Sequence, residues 1–275
     1  MIIRPRLNDY HNLLFTQEEA DFAIPFLDED IPFYIDPFLL WKSPSQQDNS
    51  LHTTIVNSFN YLGNLFLKDE KKSIEILINI SECDEVGLGN SKNKHGKKIG
   101  DKLAHNVLSI FKNVPQINKQ GFTHFEEIQL LVENFSKDRV SDISANFVKS
   151  FLIDYTIQQC EKFKLPIQKT DINYFNTQKG KIVSEKVNLP FNPDSKIPIL
   201  LVPKRWLRFI PWLNFEDYYT NYISTSDKLL KGQPINRVEI LEYNRKNYDL
   251  IQGYIKTKLL KQKDCINDPL FTQIP

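Results

Sequence analysis

The chain has 275 residues, with 35 Lys and Arg against 34 Asp and Glu, and a formal net charge of +1. Hydrophobic residues make up 41% and charged residues 25%, values that are typical of a globular protein and exclude a disordered or fibrous chain. The balanced charge neither favours nor excludes a nucleic-acid partner, which would have to be bound by local basic patches.

The cysteines and the apolar segments indicate where the protein works. Cys83, Cys160 and Cys265 lie far apart without CxxC spacing, which disfavours a disulfide framework or a zinc ribbon. The first residues lack the apolar run of a signal peptide, and no stretch approaches the roughly 20 apolar residues of a membrane helix. We therefore expect a cytoplasmic protein that does not contact a membrane.

Residues 22–42 alternate apolar residues with Pro and Asp, which favours short extended segments and turns. Their acidic residues are interpreted first as turn carboxylates, with a metal site as the alternative. These residues are Asp28, Glu29, Asp30 and Asp36. Residues 50–80 carry apolar side chains at helical spacing and predict a pair of helices.

Residues 81–104 combine four glycines with lysines and lead directly into a predicted helix. Such a segment can present backbone N–H groups and ammonium groups to an anion. We expect phosphate or nucleic-acid contacts from Lys92, Lys94, Lys97 and Lys98. The alternative is a flexible basic surface loop, because the spacing matches no known phosphate-binding fingerprint.

Residues 121–135 predict a helix that is capped by Thr123, with Glu126 completing a capping box. Asp138, Arg139 and Asp142 then stand directly before a strongly apolar helix. A carboxylate at a helix N-terminus is held in its charged form and can ligate a metal, although it can equally be an ordinary cap.

Residues 166–203 predict two or three strands, with a turn at 192–195 and a buried strand at 199–202. The following segment interleaves Lys204, Arg205 and Arg208 with aromatic residues, so Arg205 and Arg208 are predicted to contact nucleic acid. The alternative is that the aromatic residues belong to the core. Residues 224–263 return to a helical pattern.

Together these patterns predict an α+β protein in which residues 1–275 form a single compact domain. We expect a helix-rich part (1–165), a strand-rich part with a small, mainly antiparallel sheet (166–215) and a C-terminal helical part (216–275).

Metal-dependent phosphodiester cleavage needs carboxylates for Mg²⁺ and a lysine that stabilises developing charge. We predict Asp142 and Glu127 as metal ligands and catalytic residues, with Glu126 as the alternative to Glu127, and Lys204 as the lysine. The expected acid-x-lysine pattern is incomplete, because Lys204 lacks the acid. The five histidines show no paired or HExxH spacing, so a structural role is expected for them.

Two blocks resemble a group of bacterial proteins of unassigned activity that is associated with mobile elements and phage defence. The matching residues are Asp138, Arg139, Ser141, Asp142, Asn146, Pro203 and Lys204. The resemblance implies a defence role linked to nucleic acid. We therefore expect a degenerate metal-dependent nuclease that uses Mg²⁺ or, as the alternative, a non-enzymatic scaffold or sensor that works with a partner protein subunit.

Overall fold

The computed structural model describes residues 5–41, 43–89, 97–223 and 236–261. The helices are α1 (Leu7–Tyr10), α2 (Pro37–Leu40), α3 (Gln46–Phe66), α4 (Glu70–Asn79), α5 (Asp101–Asn113), α6 (Pro115–Gln120), α7 (Lys137–Phe147), α8 (Lys149–Phe163), α9 (Phe215–Asp217), α10 (Arg237–Lys246) and α11 (Tyr248–Leu260). The strands are β1 (Tyr34–Ile35), β2 (Gln168–Asn176), β3 (Lys181–Leu189) and β4 (Leu207–Arg208). Short 3₁₀ segments lie at Phe125–Leu130 and Lys204–Trp206, and a π-helical turn lies at Tyr218–Ile223.

In the described part of the chain, the strands form two antiparallel pairs, which confirms the predicted α+β class. The β2–β3 hairpin runs in register from Gln168 opposite Leu189 to Asn176 opposite Lys181. The short pair β1–β4 joins the N-terminal segment to the segment after the hairpin. The hairpin packs against α7, which carries Asp142, and against α8.

The longest helix, α3, shows why the helical prediction for residues 50–80 holds. Ser45 caps it by accepting a hydrogen bond from the Asp48 amide, and buried side chains recur at helical spacing along it. These side chains are Ile55, Phe59, Leu62 and Phe66. They face α4 and α5, so the three helices form one wall of the core.

Two local predictions need correction. Helix α7 begins at Lys137, so Asp142 lies in the middle of a helix and does not precede one. Residues 199–202 are buried as predicted, but they form no strand. The Leu200 amide donates to the Glu85 carbonyl and the Leu201 amide to Thr156 Oγ1, so the hydrogen bonds of this segment lead to a loop and a helix. The turn at 192–195 is confirmed, because Asn192 Oδ1 accepts from two following amides.

The hydrophobic core draws residues from all three predicted parts of the chain, among them Phe59, Leu189 and Ile255. A second, smaller cluster packs the N-terminal segment against α8 and the 199–201 segment. None of the described helices combines the length and the apolar character needed to cross a bilayer.

Candidate metal and nucleic-acid site

Glu127 lies in the interior, where it serves as a capping residue. Its carboxylate accepts hydrogen bonds from the backbone amides of Thr123 and His124 at 3.2 and 2.7 Å. The hydroxyl group of Tyr248, on α11, donates a short hydrogen bond to the same carboxylate, and Gln252 Nε2 adds a weaker one. Burial raises the pKa of Glu127, and these hydrogen bonds oppose that shift. The Glu127 side chain thus links the 3₁₀ segment to α11. Both of its carboxylate oxygens already accept hydrogen bonds from protein groups.

The capping box was predicted for Glu126 but is formed by Glu127. The helical segment begins at Phe125, after His124, so the third helical residue is Glu127. This shift of one residue leaves Glu126 to point elsewhere in the core, where only 1% of it is exposed.

The residues after the hairpin mostly have structural partners. Lys204 Nζ donates to the Gln17 carbonyl oxygen at 2.7 Å. Arg205 makes two hydrogen bonds, of 2.8 and 2.7 Å, to the buried carboxylate of Asp48. The Arg208 side chain is only 5% exposed and lies 3.9 Å from the Asp36 carboxylate, so its guanidinium group faces the interior and not a ligand in solvent.

Glu127 and Lys204 therefore bond to partners that differ from each other and from the charged neighbours of Asp142. Trp206 is fully buried and donates its indole N–H to Asp48, so base stacking on this ring is not available. The alternative interpretation, in which these aromatic residues belong to the core, fits the structure at Trp206.

Asp142 lies instead among other carboxylates. Burial raises its pKa well above the usual range, and the negative charges around it raise the pKa further. We call these five residues the acidic cluster: Asp30, Glu82, Asp84, Asp138 and Asp142. Asp142 is only 4% exposed, and among the described residues no hydrogen bond reaches its carboxylate.

Two other members of the cluster, Glu82 and Asp138, also have raised pKa values. Burial raises the pKa of Glu82 to about 7, with further contributions from Asp84, Asp138 and Asp30, while Arg139 lowers it. Burial also raises the pKa of Asp138. Like charges at this density favour either protonation or a bound cation.

Local backbone pairing brings the acidic cluster together. The Ile31 amide donates to the Gly87 carbonyl, and the Gly89 amide donates back to the Ile31 carbonyl, which places the loop after α4 beside Asp30. Gly89 has φ +126°, and a Cβ there would lie 2.7 Å from Asp138 Oδ1. Only glycine lets the backbone approach the carboxylate this closely.

A polar cleft of about 460 Å³ adjoins the acidic cluster. It lies between the end of α4, the start of α8 and strand β2, and it is lined by Glu82, Asp84, Lys98, Lys149 and Asp171 among others. Asn146, on α7, holds one wall by donating to the Ile80 and Glu82 carbonyls at 2.9 and 2.8 Å. The cleft therefore brings carboxylates and lysines together.

The two lysines that line the cleft differ in their burial and in their contacts. Lys149 Nζ lies 2.7 Å from Glu85 Oε1, and both side chains are largely buried. Lys98 is exposed, and its Nζ makes only a long contact of 3.5 Å with Asn79 Oδ1. Lys97 is also exposed, whereas Lys92 and Lys94 lie outside the described residues.

Glu82 and Asp84 were not predicted from the sequence as site residues. The available signal was a cluster of acids, Glu82, Asp84 and Glu85, shortly after a predicted helix and two residues before a glycine. Acids at such a position lie on a loop, where functional side chains concentrate. The lysines and glycines of the same segment predict an anion-binding site, whereas these acids predict a cation-binding site.

The fold and the acidic cluster define an α+β protein with an oxygen-rich candidate cation site. The chain belongs to a family described as a domain of unknown function, DUF8370, whose sequence model matches residues 12–214. The matched range contains the acidic cluster and the cleft, whereas α10 and α11 follow it. No curated protein and no solved structure matches the chain.

Proposed function

We propose that this protein is a cytoplasmic, metal-dependent enzyme that cleaves phosphodiester bonds in nucleic acid. The observation that carries the proposal is Asp142, a buried carboxylate without a hydrogen bond from any described residue, which lies among four further carboxylates. A carboxylate in this setting is neutralised either by a proton or by a cation, and the proposal assigns that role to a bound cation. The resemblance of residues 138–146 to defence-associated bacterial proteins supports a role in antiviral defence.

Asp142 and Glu82 are the residues that would hold the ion, with the other members of the cluster around them. Magnesium or manganese suits such a site, because both prefer carboxylate oxygens. When bound, the ion would activate water and polarise the phosphate. Lys98 would neutralise the substrate backbone at the cleft, and Asn146 keeps the Glu82 loop in position.

The test is cleavage of labelled single- and double-stranded DNA and RNA in the presence of Mg²⁺, Mn²⁺ or EDTA. We expect metal-dependent cleavage by the wild type that is lost in Glu82→Gln. Glu161→Gln is the matched control, because Glu161 is an exposed acid on α8. Absence of cleavage with every substrate, or equal cleavage by Glu82→Gln, would overturn the proposal.

Lys98→Ala is expected to weaken nucleic-acid binding without unfolding the protein, since the side chain is exposed and makes one long contact. A lysine that contacts a phosphate displaces a counterion, so its loss lowers the slope of log K against log salt by about 1. Fluorescence anisotropy over a salt series measures this slope. An unchanged slope would mean that Lys98 does not contact the phosphate backbone.

The second candidate is a non-enzymatic scaffold or sensor that works with a partner protein. The observation that favours it is a pair of adjacent apolar side chains, Phe209 and Ile210, which are about half exposed in the described structure. Such exposed apolar side chains occur where partners bind. A folded protein that cleaves nothing but forms a stable complex would support this second candidate.

A further inference from the structure

A second group of possible ligands lies in the core, away from the acidic cluster. His52 on α3, His124 before the 3₁₀ segment and Glu126 within it each offer one ligand atom within 4.8 Å of the others. Their exposed fractions are 5%, 4% and 1%. We call these residues the buried triad.

The polar atoms of the buried triad are unsatisfied. His52 Nε2, His124 Nδ1 and both Glu126 oxygens have no hydrogen-bond partner among the described residues. Leaving a buried polar group without a partner is costly, so three such groups that face each other need an explanation. Burial keeps the imidazoles neutral by lowering the pKa of His52 to about 3 and that of His124 to about 4. Neutral imidazole is the form that binds metals.

Aromatic rings enclose the triad. The ring of His124 lies 5.7 Å from that of Phe38, 5.3 Å from that of Trp41 and 5.2 Å from that of His52, measured between centroids. The rings of Phe38 and Trp41 thus place the triad in an apolar part of the core. Two nitrogens and a carboxylate suit a borderline-soft ion better than Mg²⁺.

We propose that His52, His124 and Glu126 bind a Zn²⁺ ion that joins α3 to the 3₁₀ segment. Two histidines and one glutamate form a known zinc ligand set, with a further position left for water or another ligand. The ion would satisfy the buried nitrogen and oxygen atoms that now lack partners. This site does not rest on the proposed nuclease function, because it uses different residues and a different class of metal.

The first experiment measures metal content and unfolding of the full-length wild-type protein. We expect one equivalent of Zn²⁺ per chain after purification or reconstitution. Removal of zinc with a strong chelator should lower the melting temperature, and added Zn²⁺ should restore it. The Co²⁺-substituted protein should show d–d absorption bands without a thiolate charge-transfer band, since all three proposed ligands are nitrogen or oxygen donors.

Single-residue variants test which side chains bind the zinc ion. His52→Gln and Glu126→Gln should lose the bound zinc, while His105→Gln, which changes an exposed histidine on α5, should retain it. Glu127→Gln tests whether the zinc ligand is Glu126 and not the neighbouring Glu127. Glutamine can still form the capping box at this position, so the variant should retain zinc. The proposal is overturned if the wild type neither binds Zn²⁺ nor changes its melting temperature with Zn²⁺, or if Glu126→Gln binds zinc as the wild type does. Should the variants fail to fold, the wild-type measurements and the Co²⁺ spectrum decide.

Discussion

Asp142→Asn is expected to abolish metal-dependent cleavage while making the metal-free protein harder to unfold. The substitution removes a proposed metal ligand whose contribution would be worth several kcal/mol, so the rate should fall by more than about 10³-fold. The same change removes a buried carboxyl group whose ionisation is opposed by burial and by four neighbouring carboxylates. A neutral amide is less costly to bury, and the free energy of unfolding should rise by about 1–2 kcal/mol in EDTA.

Cleavage rates with Mg²⁺ and thermal unfolding in EDTA measure the two effects on the same preparation. Glu161→Gln serves as the control and should change neither. A gain of stability together with a loss of activity is typical of a residue kept for function at a cost to the fold. Lower stability combined with unchanged cleavage would show that Asp142 is a structural residue.

Arg205→Ala is expected to destabilise the fold strongly although the arginine is partly exposed. Asp48 is only 1% exposed and receives two hydrogen bonds from the Arg205 guanidinium group. Without Arg205, the buried carboxylate keeps hydrogen bonds from Ser43 and Trp206 but loses its counter-ion. Breaking a buried pair in this way costs roughly 3–5 kcal/mol. We expect a loss of about 3 kcal/mol in the free energy of unfolding, the lower end of this range, because the Arg205 side chain is partly exposed to solvent.

Thermal or denaturant unfolding measures this loss, which corresponds to a drop of roughly 10 °C in melting temperature. The matched control is Arg237→Ala, which breaks an exposed pair with Glu216 at 3.5 Å and should cost less than about 1 kcal/mol. If the two variants lost equal stability, the assignment of Arg205 as a structural residue would be wrong. In that case, a nucleic-acid contact would again become the leading role for Arg205.

Much of the fold could be predicted from local patterns. The apolar spacing of α3, the helix α5 after the lysine-rich segment and the Asn192 turn all depend on nearby residues, so the sequence predicts them. The exchange between Glu126 and Glu127 shows the limit of such patterns. The helical segment begins one residue later than predicted. For that reason Glu127 forms the capping box, and Glu126 stays in the core without a hydrogen-bond partner among the described residues.

The candidate site could be predicted only in part, because it is assembled by tertiary contacts. Asp142 was identified from its motif, and Asp30 from an acidic segment, but nothing local links either residue to Glu82. The backbone pairing of Ile31 with the loop that contains Gly87 and Gly89 makes that link. The histidines 52 and 124 lack motif spacing for the same reason, since they meet only after α3 packs against the 3₁₀ segment.

The most direct test of the cation site is Mn²⁺ binding to the full-length protein, followed by electron paramagnetic resonance. We expect the wild type to bind Mn²⁺, Asp142→Asn and Glu82→Gln to bind it much more weakly, and Glu126→Gln to bind it as the wild type does. Equal Mn²⁺ binding by the wild type and Asp142→Asn, or no binding by the wild type, would contradict the central claim that the acidic cluster holds a divalent cation.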